Sequence, residues 1–532
     1  MTRAPLALLF APSLAAAKPI YLEGTQPGEL DRPLEPVEVC RTCHGDYDAE
    51  DDYEPSDSWS ASTMSLATRD PVFLAALSVA EQDRPDIGEY CLRCHTPNGW
   101  LARRATAGDG SGLDPLLDRD GITCDTCHRM MEGPFVGNAQ YVIAPSSGKR
   151  GKFDDVLDVG HSHVVDPFTT SAELCGTCHH VGNPAQAFVL PDGQVLDESF
   201  PLETTYLEWL GSAFPERGLG CAECHMTPAA GVRIAGIEGS SIRAHDFRRH
   251  DFLGSNAWLG RAVSLTNPAL GREVAFGAQA ERIRAFLRTA ATLQILDVGP
   301  AVQAGAEVGL SVRVTNLTGH KLPTGYADGR RMWLEVSVGR EVVSGAYDEA
   351  EAQLAMTPPP KIWQAVHGND AGPSLHLVLQ DRVLVDNRIP PEGFAPTDRT
   401  APVGATFVGH QDDVRLWIRI PRDLAGEQPV RVRLRHQVLT REYVEFLRDE
   451  NGADDRGEVL YDAWSGSGRA PPEDLAEAET TVRVQAWDGS PPHMAIARGG
   501  ACAVAGGDPG PAAFLAAIAL AFAAAVARSR GR

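Results

Sequence analysis

Cys40-Arg-Thr-Cys43-His44 is the first of five copies of one pentapeptide; the others are Cys91-Leu-Arg-Cys94-His95, Cys124-Asp-Thr-Cys127-His128, Cys175-Gly-Thr-Cys178-His179 and Cys221-Ala-Glu-Cys224-His225. Each Cys-x-x-Cys-His reads as an attachment site for a c-type haem. The two thiols add across the porphyrin vinyl groups, and the adjacent imidazole is then held beneath the iron as its proximal ligand. Ten of the eleven cysteines lie in these motifs. Zinc ribbons also pair cysteines, but they need no histidine directly after every second one. A disulfide framework would not repeat one local pattern. The residues therefore imply five covalently attached haem c groups.

Working outward, 532 residues are too many for one ordinary domain. The formal net charge of −23 argues against a nucleic-acid partner and against binding to an anionic membrane by charge alone. An acidic electron carrier commonly meets a basic patch on its redox donor or acceptor protein.

Both ends read as address labels. Arg3 precedes the apolar run Ala4 to Ala17, which closes on Ala15-Ala16-Ala17, so residues 1–17 are expected to be a signal peptide. At the other end, within 489–532, Cys502 is followed by a Gly/Pro spacer, an apolar run from Ala512 to Ala527, and Arg528, Arg530 and Arg532. That run is short of the ~20 residues a membrane span wants. The tail resembles sorting signals of the MYXO-CTERM type, and by that resemblance Cys502 marks the processing or anchoring point. A plain tail anchor is the competing reading. The expectation is export to the periplasm or outer cell surface, with membrane or cell-surface attachment through the C-terminal tail.

Residues 18–260 are loop-rich and weakly periodic, with Gly, Pro, Asp and Ser clustered between the motifs. Porphyrins would supply the apolar surface that the side chains do not. The longest helix is expected from Trp59 to Glu81, with Phe73, Leu74 and Leu77 at helical spacing. The proximal set is His44, His95, His128, His179 and His225. For the opposite face of each iron, Met64 is a methionine candidate, and methionine ligation raises potential relative to bis-histidine irons. One of His161 and His163, and at least one of His245 and His250, are further candidates. His180 follows its motif histidine directly and cannot reach the far face of the same haem; it could serve a neighbouring haem, but the preferred reading is that it is solvated.

Several phrases here resemble a known family: GEYCLRCHTPNGWL (88–101), DGITCDTCHR (120–129), SAELCGTCHH (171–180), FPLETTYLEWLGSAF (200–214) and GCAECHMT (220–227). They are similar to multihaem cytochromes of the cytochrome c-552/4 type, related to the tetrahaem carrier that accepts electrons from hydroxylamine oxidoreductase. The resemblance covers most of 40–260. It implies haems stacked in close pairs, with mostly His/His irons and one sometimes five-coordinate. A fifth motif departs from the tetrahaem pattern, so that family's ligand map does not transfer wholesale.

After an amphipathic helix expected at Gln279 to Ala290, in a connecting segment 261–292, the period changes from helical to alternating. Val308, Leu310, Val312 and Val314 alternate with polar or small residues, as do Val414, Leu416, Ile418 and Ile420, then Val430, Val432 and Leu434. Strands separated by Gly, Pro and Asp turns predict an antiparallel β-sandwich over 293–488. The fold class is thus mixed, a mainly α and irregular multihaem domain followed by an antiparallel β-sandwich domain. His320, in a turn between strands, is a candidate to cross the boundary and ligate a haem; His376, placed on a strand, is a second. His367, His410, His436 and His493 read as ordinary surface or sheet residues, and Trp333, Trp363, Trp417 and Trp464 as core.

The leading functional reading is transfer of electrons between protein partners through closely spaced haems. The alternative is an oxidoreductase acting on a small nitrogen or sulfur species at one five-coordinate haem, although no Cys-x-x-Cys-Lys variant occurs. A third treats the β part as an adhesion or carbohydrate-binding module.

Overall fold

The computed structural model describes residues 22–47, 53–299 and 301–489. The expected signal peptide, Cys502, the C-terminal apolar run and His493 lie outside the described residues. The first part is built of short helices joined by long irregular segments. The expected helix from Trp59 to Glu81 is two helices, Pro55–Ser60 and Pro71–Asp83, with turns between them. Pro71 explains the break: a residue before proline is pushed out of the helical region, while proline itself suits a first helical turn. The Asp70 carboxylate caps the new helix by accepting from Val72 N.

A long hairpin, Val181–Val189 with Val195–Glu203, follows the fourth motif and reaches the later part of the chain. Asn183 Nδ2 donates to Gln380 O at 3.0 Å, and Val189 N to Asp381 O at 2.8 Å. Helices Leu259–Thr266 and Glu273–Leu287 then lead into the strands. The second is the amphipathic helix expected at 279–290, starting six residues earlier, with Phe276, Gln279, Ile283 and Leu287 buried.

Two sheets face a common apolar core. One has the order Ala291–Asp297, Glu307–Asn316, Gln411–Arg419, all antiparallel. The other runs Ala301–Gln303, Glu473–Gln485, Gly426–Gln437, Arg331–Val338, Glu341–Ser344, and only its first pairing is parallel. Along Glu307–Asn316 every second residue is buried, which brings Val308, Leu310, Val312 and Val314 against Leu334, Val336, Val430, Val432 and Leu434. Each such side chain contributes ~1.5–3 kcal/mol on burial, so the period-2 pattern holds the register.

Two helices that alternation did not announce, Arg441–Asp449 and Arg456–Gly466, interrupt the second sheet. Their Val444, Leu447, Leu460 and Trp464 pack with Ala75 and Val79 of Pro71–Asp83 and with Leu259 and Val263. The two parts of the chain therefore share a core. Trp333, Trp363 and Trp464 are buried, whereas Trp417 is 55% exposed and lies outside the core. His376 is not on a strand: it precedes the single 3-10 turn Leu377–Leu379. His367 and His436 are sheet residues, as expected, in the strands Ala365–Asn369 and Gly426–Gln437, and both are buried.

Candidate functional site

All five Cys-x-x-Cys-His segments lie on or at the end of a short helix: Val37–His44, Gly88–His95, Cys124–Arg129, Ala172–Gly176 and Ala222–His225. Helical spacing of i, i+3 and i+4 puts both thiols and the imidazole on one face, as attachment and ligation of one group require.

Every motif histidine uses Nδ1 in a contact with an acceptor. His44 meets Ile234 O at 2.9 Å, His95 Ala67 O at 3.4 Å, His128 Arg150 O at 2.7 Å, His225 Leu253 O at 2.5 Å, and His179 the Glu203 Oε1 carboxylate oxygen at 3.2 Å. Donation from Nδ1 leaves Nε2 as the lone-pair nitrogen and fixes the ring plane. Burial pushes His95 and His225 down to about 4 and lowers His44 and His128 as well, so these rings are neutral at pH 7. His179 departs from them. Its side chain is 51% exposed, and its Nδ1 faces a carboxylate where the other four face a backbone carbonyl. Phe73 stacks flat against His95, centroids 3.7 Å apart, and braces that ring from the side.

Three motif histidines face a second imidazole. His44 and His161 have ring centroids 6.3 Å apart, His128 and His250 6.1 Å, and His225 and His320 6.2 Å. A metal–imidazole bond of ~2.0 Å, with about 1.1 Å more to the ring centre, puts two axial rings about 6.2 Å apart. The residues present thus fit an iron held between two histidines at each of the three places. Nδ1 of His161 is turned to Ser162 O at 3.1 Å and that of His320 to Lys321 O at 3.0 Å, which again leaves Nε2. No imidazole is paired in this way with His95 or His179 among the described residues.

The remaining candidates sit elsewhere. His163 directs Nε2 to Phe153 O at 2.5 Å, and His245 is exposed. Met64 is half-buried, its carbonyl accepting from Ala67 N and Ile122 N. His180 is half-buried rather than solvated. His376 meets the Asp83 carboxylate at 2.9 Å.

The motifs also touch one another. Cys40 neighbours Cys124, Cys94 neighbours Cys178, and Cys175 neighbours Cys221. The fourth motif therefore adjoins both the second and the fifth.

Sequence reasoning missed what holds His320 in place. Lys321, fully buried, places Nζ 2.6 Å from Asp386 Oδ2; Arg388 bonds the same carboxylate at 2.8 Å and lies 3.0 Å from Glu208 Oε1. Glu208 accepts from the Lys321 backbone at 3.1 Å, tying the His320 turn to the helix Thr205–Leu210 of the first part. Asn316 Nδ2 closes the turn on His320 O at 2.8 Å. The Arg388 and Lys321 charges hold the Asp386 carboxyl well below its ordinary range in spite of burial. A cavity of about 290 Å³ lies beside this network, lined by Phe188, Leu202, His367, Arg388 and Arg399 among others, and no motif residue lines it.

Residues 39–129 match the family model for cytochrome c554 and c-prime. Among solved structures, a penta-heme cytochrome c552 from Thermochromatium tepidum aligns with a TM-score of 0.49 and 17% identity, over 85% of this chain and 100% of that one. No curated protein matches. The family match spans the first three of the five motifs, so the likeness to c-type cytochromes rests on residues 39–129.

Proposed function

We propose that this chain is an exported pentahaem c-type cytochrome that passes electrons between protein partners. The observation that carries the reading is the set of three facing imidazole pairs, His44/His161, His128/His250 and His225/His320, each at the spacing of two axial ligands on one iron. The ten motif cysteines hold the groups by thioether bonds, and His44, His95, His128, His179 and His225 are the proximal ligands. Bound haem supplies one-electron chemistry at iron. The chain's own residues do the rest: Nδ1 contacts orient the rings, and the adjoining motifs bring neighbouring groups close together. The two sheets are read as a β-sandwich that serves as a lid, delivering His320 to the fifth site. Export and C-terminal attachment follow from the end segments.

A second reading is favoured by one observation. His95 and His179 have no opposed imidazole among the described residues, so one of their irons is a candidate five-coordinate centre for a small nitrogen or sulfur species.

The test is the mass and the electron paramagnetic resonance spectrum of the purified, oxidised protein. Electron transfer alone expects five haems by mass, low-spin iron throughout, and no change on adding nitrite, hydroxylamine or carbon monoxide. A high-spin signal that responds to one of these ligands establishes the second reading in its place. A mass short of five haems ends both.

A further inference from the structure

The five motif histidines share one arrangement with a single exception. Four turn Nδ1 to a backbone carbonyl, and only His179 turns it to a carboxylate, Glu203 Oε1 at 3.2 Å. Glu203 ends the strand Val195–Glu203, its side chain is 20% exposed, and the Thr205 hydroxyl donates to the same oxygen at 3.4 Å. The exception falls at the fourth motif, whose cysteines neighbour those of the second and the fifth.

We propose that Glu203 is a positioning residue that sets the potential of the fourth haem below the value a carbonyl-bonded histidine would give it. The inference rests on the haem reading above. A carbonyl is a neutral dipole and polarises the Nδ1–H bond weakly. An anion draws the Nδ1 proton toward itself, increases electron density at Nε2 and makes the ring a stronger donor to the metal. A stronger donor favours the ferric over the ferrous state, so the one-electron reduction of that iron becomes less favourable. The electron comes from one adjoining haem and leaves to another, and no proton or further reactant is consumed. At a position adjoining two other motifs, a lowered potential makes the fourth group a relay that passes the electron on and does not retain it.

The experiment is Glu203→Gln in the full-length haem-loaded protein, read by spectroelectrochemical titration of all haems and by the resonance Raman iron–imidazole stretch of the reduced form. One midpoint potential should rise while the others hold, with any resolved stretch moving to lower frequency. Glu203→Asp keeps the charge and should restore the wild-type potential in part. Thr205→Val, which removes only the orienting hydroxyl, should shift the same haem by less, and it serves if the glutamine variant does not load. Unmoved potentials in a fully loaded variant overturn the proposal, and so does a common drift of all of them, which would mark a structural disturbance. Too few haems in the wild-type protein would overturn the functional reading instead, so the two failures are distinguishable.

Discussion

His225 and His320 face each other across the boundary between the helical and the sheet-bearing parts, with ring centroids 6.2 Å apart and planes inclined by 26°. One belongs to the last Cys-x-x-Cys-His helix and the other to a turn after the strand Glu307–Asn316. If they share an iron, His320→Ala converts one low-spin haem to high spin. Electron paramagnetic resonance should show one new high-spin iron per chain, and an unchanged spectrum would refute the pairing.

The same logic separates the remaining histidines. His161→Ala and His250→Ala should each create one high-spin haem, because each ring faces a motif histidine. His163→Ala and His245→Ala should leave all spin states alone, since one ring bonds Phe153 O and the other is exposed. Optical spectra of the four variants, taken side by side, check this.

Lys321 and Asp386 form a buried pair at 2.6 Å directly behind His320. Removing one partner leaves an uncompensated buried charge, at a cost of ~3–5 kcal/mol. Lys321→Met should therefore lower the denaturant midpoint sharply, and Lys321→Met with Asp386→Leu should recover part of the loss. Denaturation followed by tryptophan fluorescence measures both.

His376 bonds Asp83 at 2.9 Å, joining the sheet-bearing part to the end of the helix Pro71–Asp83. The carboxylate raises the imidazole above its ordinary value of 6.5. The contribution is complete below that value and is lost as pH rises through the raised one. With His376 31% exposed, it is worth at most ~1 kcal/mol. Wild type should thus lose slightly more thermal stability than Asp83→Asn between about pH 6 and about pH 9; equal losses would exclude a role for the pair.

Much of the fold was legible wherever the pattern is short-range. Val308 to Val314 announced a strand because alternate residues of a pleated chain share a face. The helices Arg441–Asp449 and Arg456–Gly466 were not foreseen, since their apolar faces acquire meaning only against Ala75, Val79 and Leu259. Glu203 lay inside a quoted phrase, yet no local pattern tells a carboxylate that meets His179 from one in solvent.

The sequence by itself determined where such groups would attach, because two thiols and an imidazole within five residues make a complete local chemical unit. Only the tertiary structure decided which imidazole stands opposite three of the motifs, choosing His161 over His163 and His250 over His245. Spacing along the chain carries no information on that point: an axial pair is defined by a separation of about 6.2 Å through space, and packing and buried charge, as at Lys321 and Asp386, set it.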